Sequence, residues 1–292
     1  MKVRAIFLFF LVLTIIRTQP APAQNEAQPL RQVLSYTLIS SPELEPVHTV
    51  LQNSIQALLP EAQPVYLDYQ SEAAQQLITE LEIKFIPYVI FSDNLALQDS
   101  FFHMVKNEMV EKNRGHYVIP DKMLRMAEVL WLGRKTLAQR IDIFVLNRCS
   151  ACKEAEEKLI NFIRENKLDI KLKIRYEAQF DEFGVSSTYG PEDIKDSLRQ
   201  IVIQEYYPDK FWDFLLLRKD KTTAEAVAAL GLSLAKLDAK KDKAMVILEQ
   251  DSQEAKLLNI KLYPSFLWEN IYLVPALEGL KGHEPFQDLS TK

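Results

Sequence analysis

Apolar residues recur with two different periods along this chain, and the changes of period predict a succession of strands and helices. In the first half, short stretches rich in β-branched and aromatic residues predict strands at residues 33–40, 65–69, 88–91 and 116–119. Apolar residues at helical spacing predict helices at 47–58, after Ser71, and at 123–137. This order of strands and helices is typical of a small α/β unit.

The second half repeats the alternation, with a longer helical part in its middle. Strands are predicted at residues 141–146, 170–176, 265–268 and 271–274. Helices are predicted after Cys149, at 191–217, in two short pieces within 222–237, at 251–258 and at 285–289. A chain of 292 residues also has room for two domains of the usual size.

One short motif occurs in both halves. Residues 81–87 read LEIKFIP and residues 258–264 read LNIKLYP, and each precedes an apolar strand that is followed by Asn94 or Asn270. Proline is tolerated at the first residue of a strand, because no hydrogen-bond donor of the ladder is lost there. The same pattern at two equivalent places predicts an internal repeat of one fold.

The cysteines of the chain lie where a predicted strand gives way to a helix. The strand ends at Leu146, a turn passes through Asn147 and Arg148, and the sequence Cys-Ser-Ala-Cys follows at residues 149–152. At this position the free N–H groups and the positive end of the helix dipole would stabilise a thiolate on Cys149. These are the only two cysteines in the protein.

Three interpretations of the cysteine pair are considered. A zinc site would need two further ligands, and no second C-x-x-C or histidine pair lies near it in the sequence. A purely structural disulfide across two residues would close a very short loop and so stabilise the fold little. A redox-active dithiol is favoured, because C-x-x-C beside a βαβ pattern is typical of thioredoxin-like motifs.

Composition and charge exclude some classes of protein. The chain is 48% hydrophobic and 26% charged, as in an ordinary globular protein. Its 35 basic and 40 acidic residues give a net charge of −5, without a basic cluster dense enough to indicate nucleic-acid binding.

The N-terminus has the three parts of a secretory signal peptide. Lys2 and Arg4 precede an apolar run at residues 5–16, and the small residues of Ala21-Pro22-Ala23 end the segment. We expect cleavage after Ala23; the alternative is an uncleaved anchor. In an oxidising compartment, a C-x-x-C pair is suited to exchange with the disulfides of other proteins.

Residues 139–289 resemble the thioredoxin superfamily and, within it, the DsbA-type thiol-disulfide oxidoreductases. The resemblance rests on the strand-turn-helix with CSAC, the insertion segments 207–212 and 229–232, the Tyr263–Pro264 strand entry, and the closing segment 278–286. The first half resembles a thioredoxin fold without the cysteines. The fold class implied is α/β, with tandem thioredoxin-like folds of which the second carries a DsbA-type helical insertion. The implied division is a signal peptide at 1–23, a Cys-free thioredoxin-like domain at 24–135 and a DsbA-like domain at 136–292.

The resemblance implies a role for each residue of the motif. Cys149 would be the attacking thiolate and Cys152 the buried resolving thiol. Pro264 would form a cis bond and lie against the disulfide, and the backbone of Tyr263 would pair with an extended substrate; plain core packing is the alternative for Tyr263. The intervening Ser150 and Ala151 would also contact substrate. The cysteine pair would be the redox centre, with no further cofactor and no metal.

Two departures from the family pattern leave the direction of electron flow open. Many members carry an acidic residue six positions before the first cysteine, where this chain has Ile143. Asp142 lies one residue earlier, and strand alternation turns it to the opposite face. Either a bulge moves Asp142 into place, or proton transfer runs through water and Asp142 is a solvated surface residue. The Ser150-Ala151 dipeptide lacks both the histidine of strong oxidants and the proline of strong reductants.

The resemblance also implies partners and a location. Cysteine-containing protein substrates and a membrane redox partner are expected, in the periplasm, after secretion across the inner membrane. The N-terminal domain is a possible homodimer contact. The alternative function is a peptide-binding or chaperone-like protein, with a groove beside Pro87 lined by Phe85, Tyr88 and Phe91, unless these aromatic residues are simply core.

Overall fold

We describe residues 34–290 of a computed structural model of the chain. The predicted signal peptide, residues 1–23, lies outside this range. The described residues belong to one compact unit that begins at Leu34. They form a mixed α/β structure, as the order of predicted elements indicated.

The first half contains short strands and helices in alternation. Its elements are β1 Ser35–Ser40, α1 Glu45–Leu58, β2 Gln63–Asp68, α2 Glu72–Leu81, β3 Phe85–Ile86, β4 Tyr88–Phe91, α3 Asp99–Lys106, β5 Glu111–Asn113, β6 His116–Val118, α4 Asp121–Leu124 and β7 Val129–Trp131. Five of these strands form a sheet in the order β2-β1-β4-β6-β5. β1 and β2 are parallel, and the remaining neighbours are antiparallel.

The second half carries most of the helices. Its elements are β8 Arg140–Val145, α5 Ser150–Glu165, β9 Lys171–Tyr176, β10 Gln179–Asp181, β11 Gly184–Ser186, α6 Pro191–Tyr206, α7 Pro208–Leu217, α8 Thr223–Ala229, α9 Leu234–Asp238, α10 Lys241–Leu257, β12 Ser265–Trp268 and β13 Tyr272–Val274. The larger sheet has the order β3-β7-β13-β12-β8-β9, and β10 and β11 form a separate hairpin.

The same four-strand arrangement occurs in both sheets. In the larger sheet, β8 is parallel to β9 on one side and antiparallel to β12 on the other, and β13 pairs antiparallel with β12. In the smaller sheet, β1 has the same relation to β2 and β4, and β6 follows β4. The carboxyl ends of β1 and β8 are therefore equivalent places.

The prediction of a helix at residues 123–137 is wrong beyond Leu124. The segment forms the short helix α4 and then strand β7, which lies between β3 and β13. All three residues of β7 are buried, and because successive side chains of a strand point to opposite faces, both faces of β7 are covered. Apolar residues on both faces have no alternation, so periodicity did not distinguish this strand from a buried helix.

Three other helix predictions need correction. The helix predicted at 191–217 is divided at Tyr207–Pro208, because proline cannot donate the next backbone hydrogen bond. The one predicted at 251–258 begins ten residues earlier, as α10, whose buried stripe includes the charged Asp251. No helix forms at 285–289; the preceding residues 277–282 form a 3₁₀ turn instead.

The proposed peptide groove beside Pro87 is not present. Phe85, Tyr88 and Phe91 are all buried in the hydrophobic core of the first half. The core interpretation of these aromatic residues is confirmed, so they offer no surface to a peptide.

Candidate redox site and the charges buried behind it

The two cysteines are bonded to each other at the N-terminus of α5. Cys149 is the N-cap residue, and its Sγ accepts a hydrogen bond from the N–H of Cys152 at 3.1 Å. Cys149 is partly exposed, whereas Cys152 is completely buried. Ser150 and Ala151 are exposed between them. A nucleophile from solvent therefore has access to the first sulfur and not to the second.

The local sequence explains this placement. β8 ends at Val145, and the N–H of Cys149 donates to the carbonyl of Leu146 at 3.0 Å, which closes a turn. The buried positions of α5 then recur at helical spacing. They are Cys152, Ala155, Glu156, Leu159, Ile160 and Ile163. Burial of Cys152 follows from its place at the start of this stripe.

Tyr263 and Pro264 lie at the same end of the sheet as the cysteines. Ser265, the first residue of β12, pairs with Phe144, so continuing this register places Pro264 opposite Val145, the last residue of β8, and Tyr263 one residue beyond it. The Tyr263–Pro264 peptide bond is cis, as the resemblance implied, and the Ile86–Pro87 bond of the repeated motif is also cis. Tyr263 packs against the hydrophobic cores of both halves, so it also has a packing role.

A buried ion pair lies one helical turn behind Cys152. The guanidinium of Arg218 donates to both carboxylate oxygens of Glu156, at 2.8 and 2.6 Å. The exposed fractions of Glu156 and Arg218 are only 1% and 2%. Burial alone would lower the pKa of Arg218, but the charge of Glu156 offsets this effect and the pKa is raised. Arg218 therefore stays protonated inside the protein.

Arg218 also holds the turn that leads to Cys149. Its other terminal nitrogen donates to the Asn147 side chain at 2.7 Å and to the Gln200 side chain. Gln200 donates to Asn147 at 2.5 Å and accepts from the Tyr176 hydroxyl at 2.9 Å. Burial raises the pKa of Tyr176, so its hydroxyl remains a donor. One buried network thus connects the turn, α5, β9, α6 and the end of α7.

Basic side chains nearer the surface are already engaged. Lys153 donates to the backbone carbonyl of Arg218 at 3.3 Å, and burial followed by the charge of Arg218 lowers its pKa. Arg148 is half exposed and lies 3.9 Å from carboxylate oxygens of both Asp193 and Asp196. Its positive charge near Cys149 is therefore shared with two carboxylates.

Asp142 is buried on the face opposite the cysteines, so its interpretation as a solvated residue is wrong. Its carboxylate accepts from Arg140 at 2.6 and 3.0 Å and from Arg175 at 2.6 Å. Its neighbour Ile143 packs in the same core as Cys152, in agreement with strand alternation. Asp142 forms a separate ion-pair cluster rather than a proton acceptor for the thiols.

Sequence reasoning missed Glu156, Arg218, Asn147 and Gln200. Glu156 was detectable, because it follows Cys152 by four residues and so falls on the apolar stripe of α5. The sequence held no comparable signal for Arg218, which is 62 residues away from Glu156 along the chain. Within residues 34–290, no group of three or more His, Cys, Asp or Glu side chains is arranged to hold a metal ion.

Comparisons with known proteins give similar structures but no similar sequences. No protein-family model matches the chain, and no curated protein matches it. The structure is similar to the DsbA disulfide interchange protein from Klebsiella pneumoniae, with 18% identity over 48% of this chain and 79% of that chain and a TM-score of 0.34. It is also similar to the thiol-disulfide exchange protein α-DsbA2 from Wolbachia pipientis, with 14% identity, 54% and 85% coverage and a TM-score of 0.39.

A third similar structure is reduced DsbA1 from Neisseria meningitidis, with 12% identity, 53% of this chain and 90% of that chain covered, and a TM-score of 0.39. The structural similarity to DsbA-like oxidoreductases thus covers about half of the chain. Across the part of the chain described here, every helix is too short or too polar to cross a membrane.

Proposed function

We propose that this protein is an exported thiol-disulfide oxidoreductase that exchanges disulfides with protein substrates through Cys149 and Cys152. The observation that carries the proposal is the disulfide at the N-terminus of α5, with one accessible and one buried sulfur. The helix N-terminus stabilises a thiolate on Cys149, which favours the reduced form and makes the disulfide more oxidising.

The exchange proceeds in two thiolate attacks. A substrate thiolate attacks Sγ of Cys149, the Cys149–Cys152 bond breaks, and Cys152 leaves as a thiolate that takes up a proton. A second substrate thiolate then attacks the substrate sulfur of the mixed disulfide and releases Cys149 as a thiolate. Two electrons pass to the protein and the substrate gains a disulfide. The reverse sequence reduces a substrate disulfide, so both directions use the same residues.

Substrate would lie across the exposed end of the sheet. Ser150 and Ala151 are exposed beside Cys149, and Tyr263–Pro264 lies at the same carboxyl end of β8. In this proposal the backbone of Tyr263 pairs with an extended substrate segment, and Pro264 lies against the disulfide. These contacts would orient a substrate sulfur toward Cys149.

The repeated four-strand arrangement supports an interpretation as tandem thioredoxin-like folds, with α6–α10 as the helical insertion of the second. The predicted division between residues 135 and 136 falls just after β7. Residues 41–44 occupy the place of the CSAC turn in the first half, without a cysteine. Export, a periplasmic location, a membrane redox partner and a homodimer through the first half belong to the same proposal.

The proposal is tested by equilibrating the protein with glutathione buffers. We expect Cys149–Cys152 to cycle reversibly, with a reduction potential between roughly −270 and −120 mV, the range of thioredoxin and strong oxidants. Cys149→Ser should abolish exchange, because the attacked sulfur is missing. Cys152→Ser should accumulate mixed disulfides, because the resolving thiol is missing.

The two variants also show what would contradict the proposal. A pair that cannot be cycled by glutathione would exclude a redox function. Exchange that continues in Cys149→Ser, or a Cys152→Ser protein that forms no mixed disulfide with oxidised glutathione, would contradict the assigned roles. Folding of both variants is checked by comparing their unfolding midpoints with that of the reduced wild-type protein.

A further inference from the structure

A small hairpin next to the cysteines exposes aromatic side chains. β10 and β11 pair only with each other and lie outside both larger sheets. Phe183, in the turn of the hairpin, is 91% exposed, and Phe180 on β10 is 37% exposed. Tyr189, shortly after the hairpin, is also exposed. Phe180 and Phe183 lie three residues apart on one small hairpin, and neighbouring exposed apolar side chains are suited to binding.

Both ends of the hairpin are fixed beside the turn that leads to Cys149. On the incoming side, the N–H of Glu177 donates to the carbonyl of Val145 at 3.1 Å. On the outgoing side, Ser187 donates to the carboxylate of Asp193, whose backbone carbonyl accepts from the Asn147 side chain at 3.4 Å. β9 is parallel to β8, so the hairpin leaves the sheet at the end where the cysteines lie.

The hairpin and the segment after it are strongly acidic. Residues 177–196 carry six carboxylates and a single lysine: Glu177, Asp181, Glu182, Glu192, Asp193, Asp196 and Lys195. Three basic side chains from outside this range face these carboxylates, and one of them, Arg199 of α6, lies 3.6 Å from Asp196. Arg148 lies 3.9 Å from carboxylate oxygens of Asp193 and Asp196. Burial raises the pKa of Glu177, and the positive charge of Lys261 opposes this shift. Asp193 is buried, Glu192 pairs with Lys195 and Asp196 pairs with Arg199, so the exposed negative charge of this surface lies mainly on Asp181 and Glu182 of the hairpin.

We propose that Phe180, Phe183 and Tyr189, with the surrounding carboxylates, bind the polypeptide segment next to the reacting cysteine of a substrate, and that this segment is apolar and carries lysine or arginine. The inference rests on the proposed function and adds the class of substrate. Basic side chains pair with the carboxylates and stack on the aromatic faces, while apolar residues cover Phe183. Opposite charges on the two partners also raise the rate of encounter.

The test compares two peptides with the oxidised protein. Each has one cysteine flanked by phenylalanine, and they differ only in carrying lysines or glutamates at the same positions. Formation of the mixed disulfide with Cys149 is followed by acid quenching and mass spectrometry. We expect the lysine peptide to react about tenfold faster at low salt, and we expect the preference to shrink in about 1 M salt, because screening weakens exposed charges.

Two variants separate the contributions of charge and aromatic contact. Glu182→Lys should reduce the preference for the lysine peptide. The matched control is Glu165→Lys, which changes the net charge by the same amount. Glu165 is the last residue of α5, roughly 24 Å from Cys149 along the helix. Phe183→Ser should slow both peptides several-fold and leave the rate with 2-mercaptoethanol unchanged.

Equal rates for the two peptides with the wild-type protein would overturn the inference. So would a Glu182→Lys protein with no greater effect than Glu165→Lys, or a Phe183→Ser protein with wild-type peptide rates. In all these outcomes 2-mercaptoethanol still opens the disulfide. If it does not open the disulfide either, the proposed function itself has failed.

Discussion

The ends of β1 and β8 are equivalent in the repeated arrangement, yet the protein uses them differently. After β1, Ser41 caps a 3₁₀ turn, and buried Ser40 is hydrogen-bonded to His48 of α1. After β8, Cys149 caps α5, and buried Glu156 of that helix pairs with Arg218. Both places bury one titratable side chain from the following helix.

The origin of the partner distinguishes the two places. Ser40 belongs to the strand itself, and a neutral histidine beside a hydroxyl needs no opposite charge. Glu156 is a carboxylate, and burying it requires a cation that its own strand and helix do not supply. Arg218 comes from the end of α7, one of the helices between β9 and β12, where the first half has only α2. These additional helices thus allow a charged group to be buried close to the cysteine pair.

The largest expected effect comes from removing Arg218, the cation that pairs with Glu156 after β8. Arg218→Met leaves Glu156 buried without a partner, and we expect the free energy of unfolding to fall by about 3–5 kcal/mol. Arg199→Met is the matched control, because it breaks a bidentate pair with the half-exposed Asp238 and should cost less than about 1 kcal/mol. Denaturant unfolding of both variants measures the difference.

A second substitution sharpens this result. Glu156→Leu combined with Arg218→Met removes both charges and should recover most of the lost stability. If Arg218→Met lowers the free energy of unfolding no more than Arg199→Met does, the buried Glu156–Arg218 pair does not stabilise the fold as expected. The reduction potential of the double variant then shows how far the pair tunes the cysteines.

A smaller effect is expected where the two halves meet. The Tyr272 hydroxyl, on β13, donates to the carboxylate of Glu43, in the turn after β1, at 2.6 Å. Tyr272→Phe should lower the free energy of unfolding by about 1 kcal/mol, the usual contribution of one hydrogen bond. Tyr206→Phe removes an exposed hydroxyl and serves as the control in denaturant unfolding. Equal losses in the two variants would contradict a stabilising contact between the halves.

The smallest expected effect is a pH dependence of the free energy of unfolding that arises from His48, the histidine buried after β1. Burial lowers the pKa of His48, with Glu45 opposing the shift. The unfolded chain binds a proton near pH 6.5 while the folded protein still does not, so the free energy of unfolding decreases as the pH falls below about 6.5. In His48→Asn this part of the decrease should disappear.

Urea unfolding at pH 7.5 and 5.5 measures that change. His103→Asn removes an exposed histidine of α3 and should alter the pH dependence less. A His48→Asn protein with the same loss of stability on acidification as the wild type would show that His48 does not contribute. The buried Glu156–Arg218 ion pair would then be the main charge-dependent difference between the two halves.

Local patterns predicted much of this structure, and contacts between distant segments account for what they missed. The strand before Cys149, the helix after it and the repeated proline motif follow from residues next to one another in the chain. β7 was missed because its strand pairing depends on β3 and β13, which are separated from it in the sequence. Arg218 was missed because its partner Glu156 lies in another helix. The first part of α10 was missed because only Ala244 and Leu248 are buried there, which leaves little apolar periodicity in its sequence.

The position of β7 has a consequence for the stability of the second half as a separate protein. β7 makes β13 an inner strand of the larger sheet. A chain cut at residue 135 would turn β13 into an edge strand, with unpaired N–H and C=O groups open to any passing chain. The first half therefore covers an edge of the larger sheet that would otherwise be open to aggregation.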